Sequence, residues 1–514
     1  LEAVLRETAD SKRVVEVWRA GQLAVSHDVT DVHDAFYNDA QYGTLQFSPS
    51  ETALVYVAEA KAPTKTEPAY SKFEYAPPLG EKYAGRTRPT LFVLRWAAPH
   101  ASTAAHWEKP TLASVDASQS PHDAPRHLGQ ALFSPRDADE RALLATGYDL
   151  APDGRLLGLV YCTNRPSGIW RLTLPPPAEP QADGHAASLP ITAAARLTPA
   201  HLACRSPRLD PASRTLYYIA CAAGGPHAST TSVWRVPVPA PAAAEPPTPE
   251  RVLDVVRDPY AASAPDGLDA PFPGFYADAA LPRAPFVTAG GARHLVAASA
   301  WRSRNTLLLI AADGGAVRDL CPGDAAASWV ALGTDGARRI LAVRGALSVP
   351  YELAVGTLDE DGRVAWEVVE RPLLKPQVAQ ILGRISTSVL RVPGHKTLEG
   401  LVHTSSANGT AGAPAPTILE PHGGPHGTSI PWFSPRTAVL VAAGYTVLQP
   451  NYTGSLGFGD AAARALIGRC GTLDVEDSLA TLRELIRQGR APDDPRRLFC
   501  MGGSHGGFIG GHSE

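Results

Sequence analysis

The sequence is poor in cysteine, balanced in charge and free of long hydrophobic runs, and each of these shortages excludes a class of protein. Six cysteines among 514 residues, with no Cys-x-x-Cys pair, encode neither a zinc site nor a dense disulfide framework. Lysine and arginine total 47 against 51 aspartate and glutamate residues, so no basic surplus indicates nucleic acid or an anionic membrane as a partner. The longest apolar run, around Ala438 to Leu448, is shorter than the roughly 18 residues of a spanning helix. We therefore expect a cytoplasmic protein with reduced thiols that binds neither nucleic acid nor membranes.

Methionine is scarce as well, and its one occurrence, Met501, leaves the chain without an initiator before Leu1. The first residues, up to Arg13, are charged and lack the hydrophobic core of a signal peptide. We therefore expect a processed chain or a fragment of a longer protein.

Glycine (45 residues) and proline (48 residues) punctuate short β-rich segments up to about residue 380. A turn that feeds a strand recurs at three places: Phe47-Ser48-Pro49, Phe133-Ser134-Pro135 and Leu209-Asp210-Pro211. Repeated units of several short strands are typical of a β-propeller, and we expect five or six blades here. The segments 100–126, 175–194 and 237–249 are too low in complexity for core strands and are predicted loops. A set of β-sandwich modules is the alternative.

After about residue 380 the pattern becomes an alternation of strands and helices, which predicts an α/β sheet. The predicted strands are 398–403, 416–420, 446–449 and 497–501, and the predicted helices are 434–443 and 475–488. The second helix has Asp474 as its expected N-cap and Asp477 in its first turn, where both complement the helix dipole. We therefore interpret these two aspartates as caps and not as catalytic acids.

A Gly-x-Ser-x-Gly motif follows the last predicted strand, at Gly502-Gly503-Ser504-His505-Gly506. Glycines permit the sharp strand-to-helix turn that lifts a serine hydroxyl above the sheet, where its oxygen can attack a carbonyl carbon. The motif alone is a moderate signal, but the strand before it and the α/β unit upstream supply the expected context. The sequence therefore predicts Ser504 as a nucleophile.

A second glycine-rich loop, Pro421 to Gly427, follows the predicted strand 416–420. Its paired glycines let backbone N–H groups approach an oxyanion, in the place where α/β-hydrolases hold the second donor of the oxyanion hole. We predict the N–H groups of Gly424 and His505 as the two donors. A general base is not assigned, because hydrolases order the triad as serine, acid, histidine. His422 and His426 precede the serine and are set aside on this ground, and His505 follows the serine directly and contributes its N–H. His512 would lie on the helix behind the serine turn, where we expect it to pack.

Three motifs carry a resemblance to a known family: His422-Gly423-Gly424-Pro425, the segment Asn451 to Gly459, and Met501 to Phe508. They resemble the prolyl oligopeptidase family of serine peptidases, and within it the acylaminoacyl-peptidases. The resemblance extends through the β region and covers nearly the whole chain. It implies a β-propeller, usually seven-bladed, at 1–380, and an α/β-hydrolase domain at 381–514 of which only the N-terminal half is present.

The resemblance also implies an activity, the release of an N-acylated amino acid such as acetyl-alanine from the N-terminus of short blocked peptides. Ser504 is then the nucleophile, and Gly424 and His505 supply the oxyanion-hole amides. The aspartate and histidine of the triad do not occur in this chain, so we expect the fragment alone to be inactive. The oligomeric state is not predicted, and a homo-oligomer of the complete protein stays open.

Two alternative functions stay open. The first is another peptidase of the same family, either a dipeptidyl peptidase or an oligopeptidase. Dipeptidyl peptidases of the same family hold a free substrate amine with a Glu-Glu pair, and this sequence contains no Glu-Glu dipeptide. A propeller-based binding protein with a remnant hydrolase half would explain the missing triad. No phosphate-binding glycine loop or metal-ligand cluster occurs in the sequence pattern, so neither a cofactor nor a metal is assigned.

Overall fold

The structure, a computed structural model, describes residues 1–61, 70, 73, 78–96, 110–118, 125–151, 153–176, 186–240, 247–260, 271–277, 280–407 and 413–513. The chain forms two compact units, the first made of Leu1–Gly224 and Trp234–Glu250 and the second of Gly225–Val233 and Arg251–Glu514. None of the helices in the described part of the chain combines the length and hydrophobicity that crossing a bilayer requires.

The first unit is built from sheets of short, mostly antiparallel strands. Its strands are β1 Glu2–Glu7, β2 Arg13–Arg19, β3 Gln22–Asp28, β4 His33–Phe36, β5 Leu45–Phe47, β6 Ala53–Ala60, β7 Pro89–Arg95, β8 Thr111–Asp116, β9 His127–Phe133, β10 Ala142–Tyr148, β11 Ser167–Thr173, β12 Ala187–Pro190, β13 Ala193–Arg196, β14 Leu202–Asp210, β15 Thr215–Ala222 and β16 Ser232–Pro237. One sheet has the order β1-β2-β3, a second has β12-β8-β7-β6-β4, and in a third β15, β14, β11, β10 and β9 are successive neighbours.

Strand β6 shows how this unit buries a sheet on both of its faces. Val55 and Val57 enter one hydrophobic core, whereas the alternate residues Leu54 and Tyr56 enter another. Strand β7 divides its residues between the same two cores. Because successive side chains point to opposite faces of a strand, apolar neighbours cover both sides of the sheet. Sheets covered in this way on both faces are typical of propeller blades.

Two of the segments predicted as loops contain strands, so the prediction is wrong there. Strand β8 lies within 100–126 and β12 lies within 175–194, and the two strands pair in parallel with Ala187 opposite Ala113. Val115 of β8 and Leu189 of β12 both enter the hydrophobic core that also contains Val55 and Val57. These isolated anchors among small residues were too sparse to give a periodic pattern. Residues 100–109, 119–124 and 177–185 of the same segments lie outside the described residues.

The second unit begins with strands in antiparallel, up-and-down order. They are β17 Glu250–Leu253, β18 Phe286–Ala289, β19 Ala292–Ala300, β20 Asn305–Ala311, β21 Val317–Asp319, β22 Ser328–Thr334, β23 Arg339–Ala346, β24 Val349–Leu358 and β25 Val364–Glu370. The last eight of these strands form two four-stranded sheets, β18-β19-β20-β21 and β22-β23-β24-β25, which share one hydrophobic core. Four consecutive antiparallel strands per sheet make a propeller blade, whereas β-sandwich modules use Greek-key connections.

The remainder of the second unit is an α/β sheet. Its elements are α1 Pro376–Leu382, β26 Ile385–Arg391, β27 Glu399–Ser405, β28 Thr417–Leu419, α2 Pro435–Ala442, β29 Thr446–Asn451, α3 Asp460–Arg464, α4 Leu473–Arg487, a 3₁₀ turn Pro495–Arg497, β30 Leu498–Cys500 and α5 His505–Gly511. The strand order is β26-β27-β29-β28-β30, with β28 parallel to both β29 and β30. Val447 packs with α2, and the next residue, Leu448, packs with α4. The two helices therefore cover opposite faces of the sheet.

The two predicted helices of this region are present, but the capping residue of one is wrong. Ser434 caps α2 by accepting a hydrogen bond from the Thr437 N–H, as its side-chain chemistry favours. Helix α4 begins two residues earlier than predicted, and Thr472 occupies its N-cap position. Asp474 therefore lies inside the first turn of α4.

Glu399, at the start of β27, links a blade to the α/β sheet. The carboxylate is 1% exposed, and it accepts hydrogen bonds from Arg302 Nε (2.8 Å), Arg391 Nε (3.1 Å) and the Ser303 hydroxyl (2.8 Å). Arg302 and Ser303 follow strand β19 of the blade, and Arg302 is itself buried. Because the carboxylate and the guanidinium are both buried, each needs the other as its counterion, and removing one leaves an uncompensated buried charge.

We predict that Glu399→Gln lowers the free energy of unfolding of the intact protein by about 3 kcal/mol or more, because it leaves the Arg302 cation buried without its counterion. Urea unfolding measures this change. Asp361→Asn is the matched control, since it breaks an exposed pair with Arg363 (3.0 Å) and is expected to cost less than about 1 kcal/mol. Equal losses in the two variants would contradict the prediction.

Candidate active site

Ser504 lies at a sharp turn between strand β30 and helix α5. Its backbone has φ 54° and ψ −127°, and α5 begins at the next residue, His505. A positive φ is unfavourable for a residue with a side chain, and such strain is typical of the serine elbow of α/β-hydrolases. The Ser504 side chain is exposed. The structure therefore presents the predicted nucleophile at the end of a strand, as the motif indicates.

The two outer glycines of the motif are required by close packing of backbone atoms. A Cβ atom on Gly502 would lie 2.3 Å from the carbonyl carbon of Gly506, and a Cβ on Gly506 would lie 2.1 Å from the carbonyl oxygen of Pro421. Both distances are far below a van der Waals contact. The turn can close only with glycine at these positions, and this closure brings the elbow against the loop that follows β28.

That loop, Pro421 to Gly427, lies beside the serine. A Cβ atom on Gly423 would be 3.8 Å from Ser504 Oγ, so the backbone of Gly423 borders the nucleophile directly. Gly424 has φ 132°, a conformation that favours glycine. Among the residues that the structure describes, neither the Gly424 N–H nor the His505 N–H donates a hydrogen bond. Both predicted donors are thus uncommitted, and their role in an oxyanion hole stays a prediction.

His422 holds the loop in shape, and both of its ring nitrogens have partners. Its Nδ1 lies 2.7 Å from the Gly423 carbonyl oxygen and its Nε2 lies 2.8 Å from the Ser455 hydroxyl. Burial lowers the pKa of His422 to about 4, so the ring is neutral near pH 7. Because a carbonyl can only accept, Nδ1–H donates to Gly423, and Nε2 accepts from Ser455. The ring is thereby fully used in fixing the loop, and it stacks on Tyr452 at 4.4 Å.

The contact with Gly423 also sets the direction of a predicted oxyanion donor. In a trans peptide the C=O of one residue and the N–H of the next point in opposite directions. Since the Gly423 C=O is turned toward the His422 ring, the Gly424 N–H points away from it. His422 therefore orients the amide that the sequence predicted as a donor, a role that its place beside the paired glycines did not reveal.

The third family motif, Asn451 to Gly459, is a loop that pairs with the loop of Gly424. The Tyr452 hydroxyl donates to the His422 carbonyl (2.9 Å), and the Leu456 N–H donates to the Gly427 carbonyl (2.8 Å). His426 donates from Nδ1 to the Gly454 carbonyl (2.9 Å), and burial lowers its pKa. The segment Asn451 to Gly459 therefore binds both histidines of the loop Pro421 to Gly427.

His505 and Asp474 form a contact that the sequence did not indicate. The Nε2–H of His505 donates to Asp474 Oδ2 at 2.6 Å, and Asp474 is fully buried. The other oxygen, Oδ1, accepts from the Gly471 N–H (2.7 Å) and the Val475 N–H (3.1 Å). Asp474 is therefore not the N-cap but a tertiary partner of the elbow. Asp477 is not a cap either, because its carboxylate accepts from the Thr453 N–H at 2.8 Å.

His512, the last of the four histidines, lies just beyond the end of α5. Its ring packs edge-on against Phe508 at 4.4 Å between centroids. This contact agrees with the packing role that its position predicted.

Comparison with known proteins agrees with this geometry. Residues 72–379 match the family described as "Acylamino-acid-releasing enzyme, N-terminal domain", and residues 431–512 match the prolyl oligopeptidase family. The chain belongs to the acylamino-acid-releasing enzyme family. Its fold is accordingly a β-propeller followed by an α/β-hydrolase domain, as the sequence predicted, whereas the blade count of the complete propeller stays a prediction.

Curated relatives of this acylamino-acid-releasing enzyme family match nearly the whole chain. The "Acylamino-acid-releasing enzyme" of Arabidopsis thaliana is 28% identical over 98% of this chain, and "Acylamino-acid-releasing enzyme 1" of Oryza sativa subsp. japonica is 29% identical over 98%. The chain spans 66% of the length of each of these relatives. Among solved structures, Pyrococcus horikoshii acylaminoacyl peptidase superposes with a TM-score of 0.61 at 13% identity, covering 99% of this chain and 65% of that one.

The low pKa of His422 predicts a pH dependence of stability in this family member. Between pH 6.5 and about 4 the unfolded chain binds a proton that folded His422 does not bind. The free energy of unfolding therefore falls as the pH falls through this window, by about 1.4 kcal/mol per pH unit for each such histidine. Burial lowers the pKa of His403, on β27, to about 4 in the same way.

We expect His422→Gln to reduce the slope of unfolding free energy against pH by about 1 kcal/mol per pH unit between pH 6 and 5. Urea unfolding of the intact protein at several pH values gives this slope. His403→Gln, which is remote from the elbow, is expected to reduce it equally. Slopes identical to that of the wild type in both variants would show that neither histidine is held neutral.

Proposed function

We propose that the protein is a serine exopeptidase that releases an N-acylated amino acid from the N-terminus of short blocked peptides. The observation that carries this proposal is Ser504, exposed at a strained strand-to-helix turn and bordered by the Gly423 backbone. The names of the curated relatives support the choice of an acylated substrate. We propose the division into a propeller at 1–380 and a hydrolase domain at 381–514, and on the cysteine pattern a cytoplasmic location.

In the proposed reaction the Ser504 Oγ attacks the carbonyl carbon of the N-acylated first residue. The N–H groups of Gly424 and His505 stabilise the negative oxygen of the tetrahedral intermediate. The peptide amine then leaves, and water hydrolyses the acyl-enzyme on Ser504. His422 does not remove the serine proton in this scheme, because both of its ring nitrogens are engaged, by Gly423 and Ser455. His426 is bound through Nδ1 to Gly454, and it precedes the serine in the chain. The acid and base follow the serine in the hydrolase order.

We predict that Ser504→Ala in the intact protein lowers kcat for acetyl-alanine p-nitroanilide by at least about 10⁴-fold, because the nucleophile is removed while binding is kept. The variant is also expected to lose labelling by a fluorophosphonate probe. Ser386→Ala is the matched control, since in the described part of the chain the exposed Ser386 hydroxyl bonds only to Thr404. Full turnover by the Ser504→Ala variant would refute the assignment.

The substrate class is tested with two chromogenic substrates. An acylated α-amine carries no charge, whereas a dipeptidyl peptidase needs carboxylates for the charged free amine of its substrate. We expect kcat/KM for acetyl-alanine p-nitroanilide to exceed that for glycyl-proline p-nitroanilide by about 100-fold or more. A preference for the glycyl-proline substrate would replace the proposed activity with a dipeptidyl peptidase activity and leave the Ser504 mechanism unchanged.

A further inference from the structure

Three side chains with metal-binding chemistry lie together beside the elbow. One ligand atom each from Cys470, Asp474 and His505 lies within 4.8 Å of the others. We propose that these residues form a site for a thiophilic divalent cation, with Zn²⁺ as the best match, and that its occupation lowers the activity of Ser504. The sequence pattern did not indicate this site, because His505 is 31 residues from Asp474.

The ligand set suits zinc. Thiolate sulfur, imidazole nitrogen and carboxylate oxygen are its usual ligands, and sites with three protein ligands leave a fourth position for water. Bonds of about 2.0 to 2.3 Å place tetrahedral ligand atoms about 3.4 to 3.6 Å apart. In the present structure these separations run from 2.6 Å, between His505 Nε2 and Asp474 Oδ2, to no more than 4.8 Å. Binding a cation therefore requires side-chain shifts of about 1 Å. The Cys470 side chain is exposed, so it can rotate to close the remaining gap.

Two of the three ligands are already held in place. Asp474 is fixed through its second oxygen by the N–H groups of Gly471 and Val475, which are outer partners of the kind that orient metal ligands. The His505 Nε2 points at Asp474 Oδ2 from 2.6 Å. Phe508 covers one side of the group, because its ring lies against His505 at 5.4 Å and over Gly471. A cation would take the position of the proton between nitrogen and oxygen.

The hydrogen bond alone accounts for two of these residues but not for the third. A His505–Asp474 pair needs no thiol, yet Cys470 brings one to the same point from the turn before α4. Cys470 and Cys500 are the two exposed cysteines of the chain, and Cys500 lies on β30 outside this group. Cys500 therefore provides a matched control for the thiol.

The effect on activity rests on the proposed function. To accept a cation, the distance between His505 Nε2 and Asp474 Oδ2 must widen from 2.6 Å to about 3.4 Å. This displaces the residue whose main-chain N–H is a proposed oxyanion donor. Complete loss of one such donor costs about 10² to 10³ in kcat, so a partial displacement is expected to lower kcat about tenfold and leave KM nearly unchanged.

The site is tested directly with Co²⁺, which binds similar ligands and reports a thiolate by a charge-transfer band in the near ultraviolet. We expect the intact protein and its Cys500→Ser variant to show this band and to lose it when Zn²⁺ is added. Cys470→Ser is expected to lack the band. His505→Gln, examined only for this band, is expected to bind Co²⁺ at least about tenfold more weakly. No band in the wild type, or an unchanged band in Cys470→Ser, would overturn the site.

Activity is then measured with acetyl-alanine p-nitroanilide at rising Zn²⁺ concentration. We expect kcat to fall about tenfold, to recover when a chelator is added, and to be insensitive to Zn²⁺ in Cys470→Ser, whose basal kcat is unchanged. A cobalt band without any effect of Zn²⁺ on kcat would overturn the regulatory part. A protein inactive on every substrate would overturn the proposed function, and the cobalt band would still decide the site.

Discussion

The carboxylate of Glu399 holds together four segments of the second compact unit. It binds Arg302 and Ser303 from a blade and Arg391 from β26, and the Ser303 hydroxyl in turn accepts from Asn451 at the end of β29 (2.9 Å). Asn451 also accepts from the Ser429 N–H at 2.7 Å. The chain of contacts therefore runs from a buried charge to Ser429, two residues beyond the glycine-rich loop. Movement of a partner away from a buried ionised group is costly, because the charge is then left without a hydrogen bond. This cost holds Ser429 in position.

The start of the same loop is fixed by different physics. Strand β28 ends at Leu419, and two residues later the carbonyl of Pro421 lies against Gly506 with no room for a Cβ atom. Between these fixed ends, a neutral His422 ring determines which way the Gly423–Gly424 peptide faces. An oxyanion donor is useful only if its N–H has the right direction, and direction is set here by a side chain that never contacts substrate. The rigidity of the loop therefore keeps the proposed Gly424 donor in a fixed direction.

The sequence predicted those parts of the site that depend on neighbouring residues. The serine turn follows from sterics within five consecutive residues, and Ser434 caps α2 through a bond to Thr437, three positions away. Contacts between distant segments were not predictable in this way. Asp474 was interpreted as a cap because an acidic residue at a helix start has a sufficient local explanation. Its partner His505 is 31 residues away, and only the packing of α4 against α5 brings them together.

Asp474 shows how one buried carboxylate can serve a local and a distant purpose at once. Its Oδ1 binds two N–H groups at the start of α4, where the helix dipole also favours a negative charge, and these contacts offset the cost of burial. Its Oδ2 is thereby left free of local partners and binds the His505 ring. Because that ring and the proposed oxyanion N–H belong to the same residue, fixing the ring restrains the amide. Ser504, the residue before it, has a strained backbone that relaxes unless its neighbours are held. Asp474, which the sequence predicted as a helix cap, therefore supports the geometry of the nucleophile through its bond to His505.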